Sequence, residues 1–194
     1  RDAGVNRLSL GLQSANDNEL ELLTRRHNRN DVITAIKLAR KSGINKISLD
    51  LMLGTEAQTK ESLIRSVDFC ADMGATHVSA YMLKIEEGTP FATRKFATPL
   101  ADDDAVAELY LLAVDRLAEK GYAQYEISNF AKNGKRCLHN MKYWLSEEYV
   151  SFGPGAHSFF DGERYSYEKS LHSYTDAISR GELPKRLTED KAEM

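Results

Sequence analysis

Apolar and polar positions alternate in two rhythms along residues 7–130. RLSLGLQ (7–13) puts Leu8, Leu10 and Leu12 on one parity and Arg7, Ser9, Gly11 and Gln13 on the other, the period-two pattern of a half-buried strand. KISLDLML (46–53) repeats it, with Ile47, Leu49, Leu51 and Leu53 opposite Ser48, Asp50 and Met52. Strands are also predicted over HVSAYMLKIE (77–86) and YAQYEISNF (122–130). Between them the apolar spacing becomes helical. Helices are predicted over 17–26, over 30–43 with Val32, Ile33, Ile36 and Ala39 on one side, over 59–74 and over 101–121. Asn30 is the expected N-cap of the second helix, and Gly43 and Gly74 are expected stops. A loop holding Pro90 and Pro99 precedes the last helix, whose opening ADDD (101–104) suits a helix N-terminus.

Strand, helix, strand, helix at this spacing predicts an α/β fold of about four parallel βα units. Parallel sheets covered on both faces are usually apolar on both faces. These strands are apolar on one face only, which predicts an incomplete parallel (β/α) barrel whose polar face meets a polar ligand at the C-terminal strand ends. Leu10, Leu12, Ile36, Leu49, Leu51 and Leu63 are the expected core. The rhythm breaks near 131, where the chain turns aromatic and Gly-rich before a last helix over 171–181. Residues 1–130 are therefore read as barrel and 131–194 as an appendage. Asp50, between Leu49 and Leu51, is the chief chemical oddity, because a carboxylate in such a strand is costly unless something pairs with it. Arg7 or another barrel base is one such partner; a bound ligand is the other.

Composition narrows the function. Of 194 residues, 26 are Lys or Arg and 29 Asp or Glu, for a net charge of −3, so no basic stripe points to nucleic acid. No apolar run approaches the roughly 20 residues of a transmembrane helix. The chain opens on Arg1 with no signal peptide, and its two cysteines, Cys70 and Cys137, lie far apart, which fits a reducing, cytoplasmic setting. Cys70 reads as a core residue, His157 as structural, and His27, His77 and His172 form no metal-ligand spacing.

GVNRLSLGLQS (4–14), LTRRHN (23–28), SLDLMLG (48–54), EEGTPF (86–91), QYEISNFAKNGKRCLHNMKYW (124–144) and GPGAHS (153–158) follow one another in the chain. In that order they resemble the radical S-adenosylmethionine (SAM) family of oxygen-independent coproporphyrinogen III oxidases, and within it the heme chaperone branch known as HemW. The resemblance implies a SAM cofactor at a [4Fe–4S] cluster, with Gln13, Arg25 and Asp50 in the positions of the ligand-binding residues. An amide can serve ribose hydroxyls, a guanidinium fork the methionine carboxylate, and an acid the ribose or the ammonium group. HNMKYW places His139, Tyr143 and Trp144 where the chaperone branch is proposed to touch heme. The implied partners are heme or a porphyrinogen, and a heme-accepting protein. The family's Cys-x3-Cys-x2-Cys loop is absent, so the cluster ligands are expected outside this chain, which reads as a fragment without activity of its own. GTEAQT (54–59) also departs from the family's Gly-Leu-Pro-x-Gln-Thr turn at Thr55 and Glu56. Two other readings stay open. One is the oxidase itself, decarboxylating coproporphyrinogen III to protoporphyrinogen IX. The other is an unrelated α/β-barrel enzyme, for which neither a phosphate loop nor a catalytic acid–base pair is found.

Overall fold

The computed structural model describes residues 3–89, 91–98 and 100–188, so Pro90 and Pro99 lie outside the described residues. The chain forms two compact units, Arg1–Arg136 and Cys137–Met194.

In the first unit β1 (Arg7–Gln13) and β2 (Lys46–Leu53) coincide with the alternating runs, and they pair in parallel. Helices α1 (Asp17–Leu22) and α2 (Arg29–Lys41) connect them. Asn28, not Asn30, caps α2. Its side chain accepts the Asn30 and Asp31 amides, while Asp31 accepts the Asn28 amide. This reciprocal capping box satisfies amides that otherwise lack partners and starts the helix earlier than expected. Gly43 (φ 77°) and Gly74 (φ 62°) follow the ends of α2 and α3 (Lys60–Asp72) in the left-handed conformation that stops a helix.

β3 (His77–Met82) pairs in parallel with β2 and ends before the expected residue 86, because β2 stops at Leu53 and leaves the rest of the run without a neighbour. α4 (Asp103–Glu119) follows, with the Asp102 side chain accepting the Ala105 amide as its cap. The fourth expected parallel strand does not form. The chain makes β4 (Ala123–Gln124) and β5 (Asn129–Ala131), an antiparallel hairpin whose β5 arm pairs antiparallel with β3. Between them the Glu126 carboxylate accepts the Ser128 amide at 3.0 Å and folds the chain, leaving Ile127 exposed. The sheet is thus open, in the order β1-β2-β3-β5-β4, with three parallel strands instead of four.

The apolar parity faces the helices. Ile47, Leu49, Leu51 and Leu53 are fully buried and form the core with Leu12, Ile36, Leu63, Val67 and Cys70. Leu10 is only half-buried, because β1 is an edge strand of this sheet.

The second unit has α5 (Leu138–Trp144), then β6 (His157–Phe160), β7 (Glu163–Tyr167), α6 (Leu171–Ser179) and β8 (Arg186–Thr188). Its three strands form an antiparallel sheet, β6-β7-β8. The Arg186 guanidinium stacks 3.5 Å from the centre of the Tyr165 ring.

Candidate functional site

The polar parity of β1, β2 and β3 carries two hydrogen-bonded rows. In the first, the Ser48 hydroxyl lies 2.7 Å from His77 Nδ1, and His77 Nε2 lies 2.8 Å from the Tyr125 hydroxyl. His77 is 1% exposed, and burial, with the nearby Arg7 charge, lowers its pKa to about 4. A neutral imidazole bonded at both nitrogens is a structural floor for the face above it.

The second row holds Asp50. The Ser9 hydroxyl donates to its carboxylate, 3.1 and 3.3 Å from the two oxygens. Ser79 stands level with Asp50 on β3, and its hydroxyl donates to Asn129 Oδ1 at 2.8 Å. Desolvation by burial raises the Asp50 pKa; the Ser9 hydroxyl and the Arg7 charge oppose it. Among the described residues no base forms an ion pair with Asp50; Arg7 donates instead to the Lys135 carbonyl.

Gln13 ends β1 with φ 65°, a left-handed conformation that is strained for a residue other than glycine. The pairing of β1 with β2 slips between Leu10 and Gln13, so Gly11 and Leu12 occupy the level of Asp50. The Gln13 amide folds back over Gly11: a Cβ there would lie 2.7 Å from Nε2. Its Oε1 is buried without a hydrogen-bond partner. A strained backbone, a buried unpaired acceptor and a place only glycine leaves open all converge beside Asp50. That combination fits a polar ligand bound across the strand face.

Arg25 stands elsewhere in the arrangement. It lines a cavity of about 240 Å³ with Leu23, Met52, Leu83, Lys84 and Phe91, where β2 and β3 end. Met52 is one pleat beyond Asp50 on the same face, but neither Asp50 nor Gln13 lines this cavity.

Arg25 owes its position to Thr24 (φ 55°) and to its own amide, which donates to the Leu20 carbonyl. Sequence reasoning missed Ser9, Gly11, Ser79 and Asn129. The strand parity carried the signal for the first three, since they share the polar parity with Asp50.

In the second unit His139, Tyr143 and Trp144 all lie on α5. The Tyr143 hydroxyl is 2.7 Å from His139 Nε2, and the Tyr143 ring meets Tyr149 edge-on at 4.6 Å. Trp144 is 60% exposed and Leu138 79%, so the helix keeps large apolar side chains at its surface. Among the described residues no group of three or more His, Cys, Asp or Glu is placed to hold a metal ion. None of their helices is long and apolar enough to cross a membrane.

Comparison with known proteins bears on this geometry. Residues 1–70 match the family model of the Radical SAM superfamily. The chain is 38% identical over 192 residues to the heme chaperone HemW of Bacillus subtilis, covering 98% of this chain and 51% of that protein. It is 37% identical over 173 residues to HemW of Escherichia coli, covering 88% of this chain and 45% of that protein. The chain thus spans about half the length of the curated relatives it matches. The solved structure of coproporphyrinogen III oxidase (HemN) from Escherichia coli, a radical SAM enzyme, superposes with a TM-score of 0.79 at 20% identity, over 95% of this chain and 46% of that one; this likeness shows the fold. The chain is thus similar to the Radical SAM superfamily over residues 1–70 and, over nearly its whole length, to about half of the heme chaperone HemW.

Proposed function

We propose that this chain supplies the ligand-orienting part of a radical SAM site in a HemW-like heme chaperone. The observation that carries the reading is Gln13, with its left-handed backbone and its buried, unpaired Oε1 beside Asp50. Strain of this kind persists where the surroundings fix it, and it clusters at ligand sites. S-adenosylmethionine, bound at the family's [4Fe–4S] cluster, supplies one-electron chemistry. The residues of this chain bind and orient it. Gln13 offers its free carbonyl to a ribose hydroxyl. Asp50 meets the ribose or the ammonium, which offsets the desolvation that raises its pKa. Arg25 takes the carboxylate.

Heme is assigned to α5. His139 offers an imidazole to iron, and Trp144 offers an exposed aromatic face to the macrocycle. Ligation through His139 Nε2 would replace its hydrogen bond with the Tyr143 hydroxyl. The heme then passes to an acceptor protein. Cys70, a free thiol buried in the core, suits a reducing, cytoplasmic setting.

Heme titration of the full-length protein followed by Soret absorbance tests the reading. His139→Ala is expected to weaken binding about tenfold or more and to change the ligation spectrum. Unchanged spectra, or decarboxylation of coproporphyrinogen III by the full-length protein, would overturn it.

A further inference from the structure

Glu56 stands where the family motif is broken, and it is 3% exposed. A carboxylate that deep is costly unless its oxygens are satisfied. Here both are. Oε1 accepts the amides of Ala97 (2.5 Å) and Thr98 (3.0 Å), and Oε2 pairs with Arg94 Nη2 at 3.1 Å. Arg94 goes further. Its other terminal nitrogen donates to the Leu22 carbonyl at the end of α1. Its guanidinium lies 5.5 Å from the ring centres of both Phe91 and Phe96, which meet edge-on. One guanidinium therefore ties together the loop after β2, the segment 91–98 and the turn that ends in Arg25. Phe91, Leu23 and Arg25 line the same cavity.

We propose that Glu56 and Arg94 form a latch that positions Arg25 for the carboxylate of the bound ligand, Arg94 acting as a positioning residue that never touches it. This rests on the reading of Arg25 as a carboxylate-binding residue. The chain of contacts runs from Glu56 to Arg94, to the Leu22 carbonyl, through the left-handed Thr24, to Arg25. The fork geometry matters. A guanidinium reaches two acceptors in fixed directions, whereas an ammonium is a single point of charge. The substitution that removes the family's Leu-Pro at 55–56 is thereby given a use, since a proline at 56 could not hold segment 91–98.

The test measures hydrogen exchange and ligand binding in the full-length protein. Arg94→Lys keeps the charge and loses the fork. Glu56→Ala removes the anchor but leaves a half-buried cation and two amides unpaired, so it serves as the harsher second variant. Thr55→Val is the control, because the buried Thr55 hydroxyl has no partner to lose. In Arg94→Lys, exchange of the Arg25 amide, which donates to Leu20, is expected to rise about tenfold, with β2 and β3 unchanged. Affinity for S-adenosylmethionine is expected to fall about tenfold, while affinity for 5′-methylthioadenosine, which lacks the carboxylate, stays the same. An Arg25 turn that exchanges as in the parent overturns the latch. A loosened turn with both affinities unchanged, or both lowered equally, overturns its role toward the carboxylate. Failure of the parent to bind S-adenosylmethionine overturns the site reading instead, and the exchange data still judge the latch.

Discussion

Asp50 and His77 sit one row apart on the same sheet face, and burial moves their protonation in opposite directions. The Asp50 pKa is raised above 3.8, so in the window between these values the folded state binds more protons than the unfolded. Stability is lost as pH rises through that window, and the Asp50 charge remains a cost at neutral pH. Asp50→Asn, which can still accept the Ser9 hydroxyl, is therefore expected to raise the melting temperature at pH 7 while weakening S-adenosylmethionine binding. A lower melting temperature would show that the carboxylate is a structural partner. His77 behaves the other way. Its folded pKa of about 4 lies below the ordinary 6.5, so between these values the unfolded state binds more protons. Stability is expected to fall by on the order of 1–3 kcal/mol as pH drops through that window, read from urea midpoints, and His77→Gln should flatten the fall.

At the scale of elements, the core strands decide stability and their ends decide the site. Leu51 is fully buried on β2, and Leu51→Ala is expected to cost roughly 2–5 kcal/mol in a thermal or urea melt. Leu10, half-buried on the edge strand, should cost clearly less when truncated; equal losses would mean that the edge is covered. The elements easiest to read from sequence were these same strands. In β1 and β2 every second residue is apolar over seven or eight positions, and burial alone dictates that pattern. The hairpin at 123–131 was not legible, because Tyr125 and Ile127 imitate the alternation while one carboxylate, Glu126, folds the chain between them. The cap of α2 lies two residues before the one the sequence suggests, because Asn28 and Asn30 are equally good caps until Asp31 closes the box on Asn28. At the site, the polar parity exposed Asp50 as an oddity, and the family motifs proposed a role for it and added Gln13 and Arg25. The left-handed backbone of Gln13 and the Glu56–Arg94 pair were hidden. Each depends on packing between segments far apart in sequence, and no local pattern records such contacts.

For the molecule as a whole, the question is which part of the chemistry these 194 residues can perform. A [4Fe–4S] cluster is held by thiolates, three from the family's motif. This chain has two cysteines, and neither suits the task. Cys70 is fully buried in the core of the first unit, where desolvation pushes its thiol pKa far up and disfavours the thiolate that would bind iron. That leaves Cys137 alone, one thiolate where three are needed. The chain alone is therefore expected to take up no stoichiometric iron or sulfide on anaerobic reconstitution and to leave S-adenosylmethionine uncleaved. A protein of its relatives' full length should do both if its further residues bring the thiolates. In that longer protein Asp50→Ala separates the two duties of the site. Asp50 is assigned to the ligand and not to iron, so iron and sulfide content should stay near the parent value while S-adenosylmethionine affinity, measured by equilibrium dialysis, falls about tenfold. Loss of iron with the carboxylate would place Asp50 in the support of the cluster, and stoichiometric cluster assembly on the 194-residue chain would mean that Cys70 leaves the core to bind metal.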